Sequence, residues 1–185
     1  TSLHCHPKKK TGFIVLKGKV EVQLGFYDKV ILNGPAKLMI RPGLFHSTKA
    51  ISKNGAFVME LESPIDKDDL VRFKDDYGRQ NTPYEGRDKM TKITPNKLIF
   101  DLPKKIGIKK YNFKNIKITI EKISDIKKLK KRSKSTIFGI IDGGMYDNKN
   151  RLALSPGDIV RWDTIKKLAE VFNIKKFITF VTICK

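Results

Sequence analysis

The chain has 185 residues, of which 39% are hydrophobic, so it can bury one sizeable core or two small ones. No apolar stretch approaches the ~20 residues that span a bilayer, and two cysteines are too few for a disulfide framework, so we expect a cytoplasmic protein. The formal charge of +20 favours an anionic partner, but only seven of the 39 cations are arginine, the residue that reads bases, so we expect an anionic small substrate rather than a nucleic acid.

Short β-branched segments separated by glycine and proline dominate the first 61 residues. They predict strands at residues 13–16, 20–24, 29–32, 37–40 and 56–61. Turn signals stand between the strands, at Gly18, Gly25, Asn33-Gly34, Pro42-Gly43 and Asn54-Gly55. Evenly spaced strands with such turns are typical of a β-sandwich or a β-barrel.

The strand pattern stops at Ser63. Ser63-Pro64 offers an N-cap followed by proline at the first helical position, and Gly78 can end the helix, so we predict a helix over residues 63–78. Its aspartates, including Asp69, are expected on a solvated face rather than in a calcium loop. Residues 79–95 are polar and contain two prolines, which predicts a linker.

The remaining residues, 96–185, loosely repeat the first unit, residues 1–78. FIVLKG at residues 13–18 resembles FGIIDG at residues 138–143, and a Pro-Gly turn follows each segment. Residues 112–123 and 177–183 predict further strands, and residues 163–172 predict a helix capped by Asp163. The basic run at residues 127–134 is expected to be an exposed loop, and Asp158 is expected to stabilise its turn.

The three histidines are the most informative residues of the chain. His4 and His6 are separated by one residue, so on a strand both imidazoles point to the same face and can bind one metal ion. His46 follows Pro42-Gly43 and can bring a third nitrogen from another strand. Imidazole suits Zn, Fe and Ni, and to a lesser extent Mn. Without a metal, the same residues would be ordinary pocket or core histidines.

Residues 4–46 resemble the two sequence motifs of the cupin superfamily. The first motif runs His-x-His, three or four residues, Glu, six residues and Gly; here His4 and His6 are followed by Thr11 at the Glu position and by Gly18. The second motif places a glycine shortly before its histidine, as Gly43 stands before His46. The resemblance implies an all-β fold, a cupin-type double-stranded β-helix or jelly-roll barrel. We expect two units, with a degenerate second unit and short helices.

The resemblance also implies a site. His4, His6 and His46 would hold a divalent Zn, Fe, Ni or Mn ion. Because Thr11 stands at the position of the ligand Glu, the centre is a three-His site, is completed from a neighbouring strand by Glu21, Glu60 or Glu62, or is weakened. Glu60 and Glu62 are also the candidates for a catalytic base. The residues expected to contact an anionic substrate are Lys10, Thr11 and Arg41.

A cupin resemblance implies an enzyme or binding protein for an anionic sugar, phosphorylated or nucleotide-linked. Residues 60–86 are similar to cupins of carbohydrate and surface-polysaccharide synthesis. An isomerase or epimerase would use the metal to polarise a carbonyl and hydroxyl pair while a base moves the proton. Two alternatives stay open, a three-His cupin dioxygenase and a non-catalytic sugar-binding or sensor module. An exposed edge at the N-terminal strand would favour a homodimer.

Overall fold

The computed structural model describes residues 1–75, 78, 99–113, 115–129 and 132–184, whose regular structure consists mainly of antiparallel strands. The strands of the first unit are β1 (Leu3–Cys5), β2 (Lys10–Lys17), β3 (Lys19–Leu24), β4 (Asp28–Asn33), β5 (Ala36–Ile40), β6 (His46–Ala50), β7 (Phe57–Ser63) and β8 (Val71–Lys74). The later elements are β9 (Gly107–Phe113), β10 (Ile116–Ile123), β11 (Ile137–Tyr146), β12 (Leu152–Leu154), β13 (Ile159–Arg161), helix α1 (Trp162–Leu168) and β14 (Asn173–Cys184). This architecture confirms the predicted all-β, jelly-roll fold.

Two sheets of the first unit enclose the cavity in which the histidines lie. One sheet has the order β4-β3-β6-β1-β8, and the other has the order β5-β2-β7. Alternate residues of their strands point inwards and form a core that includes Phe13, Val15, Val22 and Ile40. Inward-pointing residues of β2 and β7 therefore share this cavity with those of β1 and β6.

The outward face of β2 packs on a third sheet, of order β12-β11-β14-β10-β9. Ile14 of β2 is fully buried there, in one cluster with Ile120, Ile137 and Val181. Gly139 permits this close packing, because a Cβ atom at its position would lie 2.8 Å from the Leu61 side chain. Strand β2 thus presents alternate residues to two different cores.

The third sheet has a second apolar core on its other face. Phe138 and Phe180 are fully buried in it, and Ile165 of α1 packs against them. Val160, which follows Gly157 by three residues as His46 follows Gly43, packs against the same core. At this position, therefore, the second half has an apolar side chain where the first unit has a histidine. That the second half duplicates the first unit stays a prediction.

The helix predicted over residues 63–78 is wrong, because residues 71–74 form strand β8 instead. Val71 and Arg72 pair with Cys5 and His4 of β1, so tertiary pairing outweighs the local capping signal at Ser63. Strand β1 therefore has partners on both sides, β6 and β8, and is not the exposed edge expected from the sequence.

Three further expectations are refined. The segment 112–123 is a hairpin of β9 and β10 that turns at Asn115, which has a φ of 68°. Helix α1 begins at Trp162, and Asp163 lies in its first turn rather than at the N-cap. A short 3-10 turn, Ile126–Lys128, overlaps the start of the basic run, and its Ile126 is buried. The predicted linker, residues 79–95, lies outside the described residues. Among the residues that are described, no helix is long and apolar enough to cross a membrane.

Candidate metal centre

The three histidines, far apart in the sequence, converge in the cavity of the first unit. His4 and His46 are direct partners across the β1–β6 pair, and His6 follows β1 on the same face. The ring centroids are 4.5 Å apart for His4 and His46, 5.1 Å for His4 and His6, and 5.7 Å for His6 and His46. One ring nitrogen from each lies within 4.8 Å of those of the other two, so the group could hold a metal ion.

Each imidazole is oriented by a backbone carbonyl. The Nδ1 atoms of His4, His6 and His46 lie 2.8, 2.6 and 2.9 Å from the carbonyl oxygens of Ser2, Asp69 and Leu44. Because a carbonyl oxygen can only accept, Nδ1 must carry a proton, and in a neutral ring Nε2 then keeps its lone pair. The buried Nε2 atoms of His6 and His46 have no hydrogen-bond partner among the described residues. This donor set fits a divalent ion, since metal-binding histidines are commonly held in this way.

The electrostatics of the cavity keep two of the rings neutral. Burial, together with the neighbouring His46, His6 and Arg72, lowers the pKa of His4 to about 4, against the opposing effect of the hydrogen bond to the Ser2 carbonyl. Burial also lowers the pKa of His46. For His6, burial acts in the same direction, but the carboxylate of Glu62 and the Asp69 carbonyl outweigh it and raise the pKa. His4 and His46 are therefore available as neutral ligands near neutral pH.

Glu62 brings a carboxylate to the place where the cupin motif has one. Thr11, at the motif position, is the cross-strand partner of Glu62 on β2 and β7, so both side chains point into the cavity. Glu62 Oε1 lies 3.0 Å from His6 Nε2, but the two atoms are not aligned as a hydrogen bond. Within the described chain, the buried hydroxyl of Thr11 has no hydrogen-bond partner.

A second carboxylate stands beside the first. Glu60 lies two residues before Glu62 on the same face of β7 and forms a possible ligand group with Glu62 and His6. Surrounding protein and the Glu62 carboxylate raise the pKa of Glu60 to about 7. The side chain is nevertheless exposed to solvent, so water screens part of this effect. By contrast, His6 and Lys9 lower the pKa of Glu62 to about 2, against the opposing effect of burial.

The structure gives the contacts of two predicted substrate-binding residues, Lys10 and Arg41. Lys10 points to the third sheet, where its Nζ lies 2.7 Å from Asp158 Oδ1 and 2.6 Å from Ser155 Oγ. Arg41 is exposed, with its guanidinium 3.4 Å from the carbonyl of Pro42. Lys10 is therefore on the face of β2 that points away from the histidines, which corrects that expectation, whereas the role of Arg41 stays a prediction. Asp158 also accepts a hydrogen bond from the backbone of Ser155, which confirms its role in the turn.

Glu21, the third carboxylate considered, is on the outer face of its strand. Its partner is Lys29, whose Nζ lies 2.9 Å from Glu21 Oε1. Val20 and Val22, the flanking residues, are the ones buried in the cavity. Strand alternation therefore removes Glu21 from the centre.

Three residues at the centre were not among the predicted site residues. Lys9 is only 2% exposed, and its Nζ lies 2.7 Å from Glu62 Oε2. Asp69 is buried, and its carboxylate accepts hydrogen bonds from the backbone N–H groups of Lys8 and Lys9, at 3.1 and 2.8 Å. Arg72 is the partner of His4 on β8. Asp69 and Arg72 were missed because their segment was predicted to be a helix. Lys9 lies two residues before Thr11, and this spacing could have placed both side chains on the same face.

No family model matches the chain, and no curated protein matches it. Solved structures similar to it include the mannose 6-phosphate isomerase from Bacillus subtilis, with 16% identity and a TM-score of 0.35 over 100% of this chain and 71% of that chain. Another is the oxalate decarboxylase from Bacillus subtilis at pH 4.6, with 10% identity and a TM-score of 0.36 over 100% of this chain and 64% of that chain. This chain thus spans less than two thirds of that decarboxylase. At these identities and TM-scores the likeness carries no argument about the function of this chain.

Proposed function

We propose that this chain is a metal-binding enzyme of the cupin type, with His4, His6 and His46 as ligands and Glu62 completing the centre. The observation that carries the proposal is the convergence of three imidazoles whose Nδ1 atoms are all held by carbonyl oxygens. When bound, a divalent Zn, Fe, Ni or Mn ion would polarise a carbonyl and hydroxyl pair of a substrate. A carboxylate contributed by β7 compensates for Thr11 at the motif position.

Glu60 is our candidate for the residue that moves a proton. A general base works best when its pKa is near the working pH, and the pKa of Glu60 is about 7. Its exposure allows contact with a substrate that reaches the histidines. These properties favour an isomerase, which removes a proton next to a carbonyl and returns it to the neighbouring carbon, or an epimerase, which returns it to the opposite face of the same carbon.

The proposed substrate is an anionic sugar, phosphorylated or nucleotide-linked, used in carbohydrate or surface-polysaccharide synthesis. Arg72, the strand partner of His4, places a positive charge beside the centre, where it favours an anionic group. A cytoplasmic location and a homodimer belong to the same proposal. A non-catalytic sugar-binding module is the second candidate, because Lys9 already satisfies Glu62 when no metal is bound.

Proton exchange tests this function directly. Metal-loaded protein is incubated in D₂O with phosphorylated aldoses and ketoses, and deuterium at the carbon next to the carbonyl is followed by NMR. We expect exchange by the wild type, a loss of about 100-fold or more in Glu60→Gln with unchanged metal content, and loss of both metal and exchange in His46→Ala. Glu21→Gln, on the outer face, is the matched control and should behave as the wild type.

The outcomes separate the candidate functions. A wild type that binds sugar phosphates without exchanging protons, with or without metal, would establish the binding module instead. Oxygen uptake by iron-loaded protein in place of exchange would establish the dioxygenase. Exchange that persists in Glu60→Gln would contradict the role of Glu60 alone.

A further inference from the structure

Lys9 is a buried cation inside the candidate metal centre. Its side chain is 2% exposed, and its Nζ lies 2.7 Å from Glu62 Oε2, while Glu62 Oε1 faces His6. The backbone N–H of Lys9 donates to Asp69 at 2.8 Å, which fixes the start of the side chain as well. The ammonium therefore has no easy route to water.

This contact pairs the charge of Glu62 before any metal ion arrives. Charges interact strongly in a buried site, so a divalent ion near Glu62 meets the opposing field of the Lys9 ammonium at short range. Glu62 can still offer Oε1 as a ligand atom. Its negative charge, however, is already balanced, and the other donors are the imidazoles of His4, His6 and His46.

Metal ions differ in how much they depend on such a charge. Ni, Cu and Zn bind well to nitrogen donors, whereas Mn and Mg prefer carboxylate and water oxygen. We propose that Lys9 determines the metal selectivity of the centre by neutralising Glu62, so that the centre prefers Ni²⁺ or Zn²⁺ to Mn²⁺. This inference rests on the proposed function. It narrows the range of metal ions that would serve as the cofactor of that function.

The test compares two neighbouring lysines. Metal-free wild type, Lys9→Met and Lys10→Met are titrated with Mn²⁺ and with Ni²⁺ by calorimetry and by competition with a coloured chelator. Lys10→Met removes the same charge one residue away, but the Lys10 ammonium binds Asp158 on the other face of β2. We expect Lys9→Met to bind Mn²⁺ about tenfold more tightly or better, with a smaller gain for Ni²⁺, and Lys10→Met to keep the wild-type ratio.

Three further variants guard against a folding defect and test the role of the charge itself. Lys9→Gln keeps an amide donor for Glu62 without the charge. It should show the same gain in Mn²⁺ affinity, and it takes the place of Lys9→Met if Lys9→Met does not fold. Adding Glu62→Gln to Lys9→Met should cancel the gain for Mn²⁺, since no carboxylate charge is left to release. Lys9→Arg keeps the charge and should keep the wild-type ratio.

Each outcome is decisive. An equal Ni²⁺ to Mn²⁺ ratio in Lys9→Met and Lys10→Met overturns the inference and leaves the metal centre standing. Weaker Mn²⁺ binding in Lys9→Met also overturns it, because Lys9 would then support Glu62 rather than neutralise it. A wild type that binds neither ion overturns both the inference and the proposed function.

Discussion

The carboxylate of Glu62 makes the stability of the metal-free protein depend on pH. His6 and Lys9 lower the pKa of Glu62 from 4.5 to about 2, so the folded state favours its ionised form. A lowered pKa contributes stability above the unfolded value, and that contribution is lost as the pH falls towards the folded value. The window for Glu62 therefore runs from about pH 5 down to about pH 2. Glu62→Gln removes this contribution at every pH.

The size of the effect follows from the two pKa values. A change from 4.5 to about 2 corresponds to about 3 kcal/mol at 25 °C. Proton linkage places about 2 kcal/mol of this loss between pH 6 and pH 3. Glu62 is only 22% exposed, so solvent screening leaves most of the effect in place.

Urea denaturation of chelator-treated protein at several pH values measures this directly. The difference in unfolding free energy between wild type and Glu62→Gln should be about 3 kcal/mol at pH 6 and about 1 kcal/mol at pH 3. Glu21→Gln breaks the surface pair with Lys29 and should change stability by less than about 1 kcal/mol at both values. A constant difference between wild type and Glu62→Gln across this range would refute the ion pair with Lys9 and His6.

Three other predictions concern the structure around the site. Lys10→Met removes the ammonium bound to Asp158 and should cost about 1–3 kcal/mol in urea denaturation without changing metal affinity; an unchanged stability would contradict it. Gly157→Ala should lower stability by about 1–2 kcal/mol, because Gly157 has a φ of +90° and a Cβ there would lie 2.8 Å from Ser63; a wild-type melting temperature would count against this packing. Metal at a hundredfold excess over its Kd should stabilise the wild type by about 2.7 kcal/mol, and an equal gain in His46→Ala would exclude this site.

The strands of the first unit could be predicted because their signals are local. Alternation of inward and outward residues and the glycine turns at Gly18 and Gly25 locate β2, β3 and β4 to within two or three residues. The same period of two placed His4 and His6 on one face. The convergence of His46 with them required the resemblance to a known family, since nothing local indicates which strands become neighbours.

The residues around the histidines were harder to predict, because they depend on register between strands. Asp69 was assigned to a helix face, yet its carbonyl orients His6 and its carboxylate holds the backbone of Lys9. The residues at Ser63 do favour a helix N-terminus when only the local sequence is considered. The pairing of β8 with β1 outweighs it, and that pairing is invisible in the segment itself.

The position of Glu62 shows why a broken motif does not imply a lost site. A motif records the order of residues along one strand, whereas a metal ion requires donor atoms that are close in space. Thr11 and Glu62 are cross-strand partners, whose Cβ atoms typically lie about 5 Å apart, so a carboxylate on β7 reaches the cavity that one on β2 would reach. Lys9, two residues before Thr11 on the same face, supplies the balancing charge. The departure from the motif therefore alters the charge of the centre more than its set of donors, and metal preference is the property in which we expect it to appear.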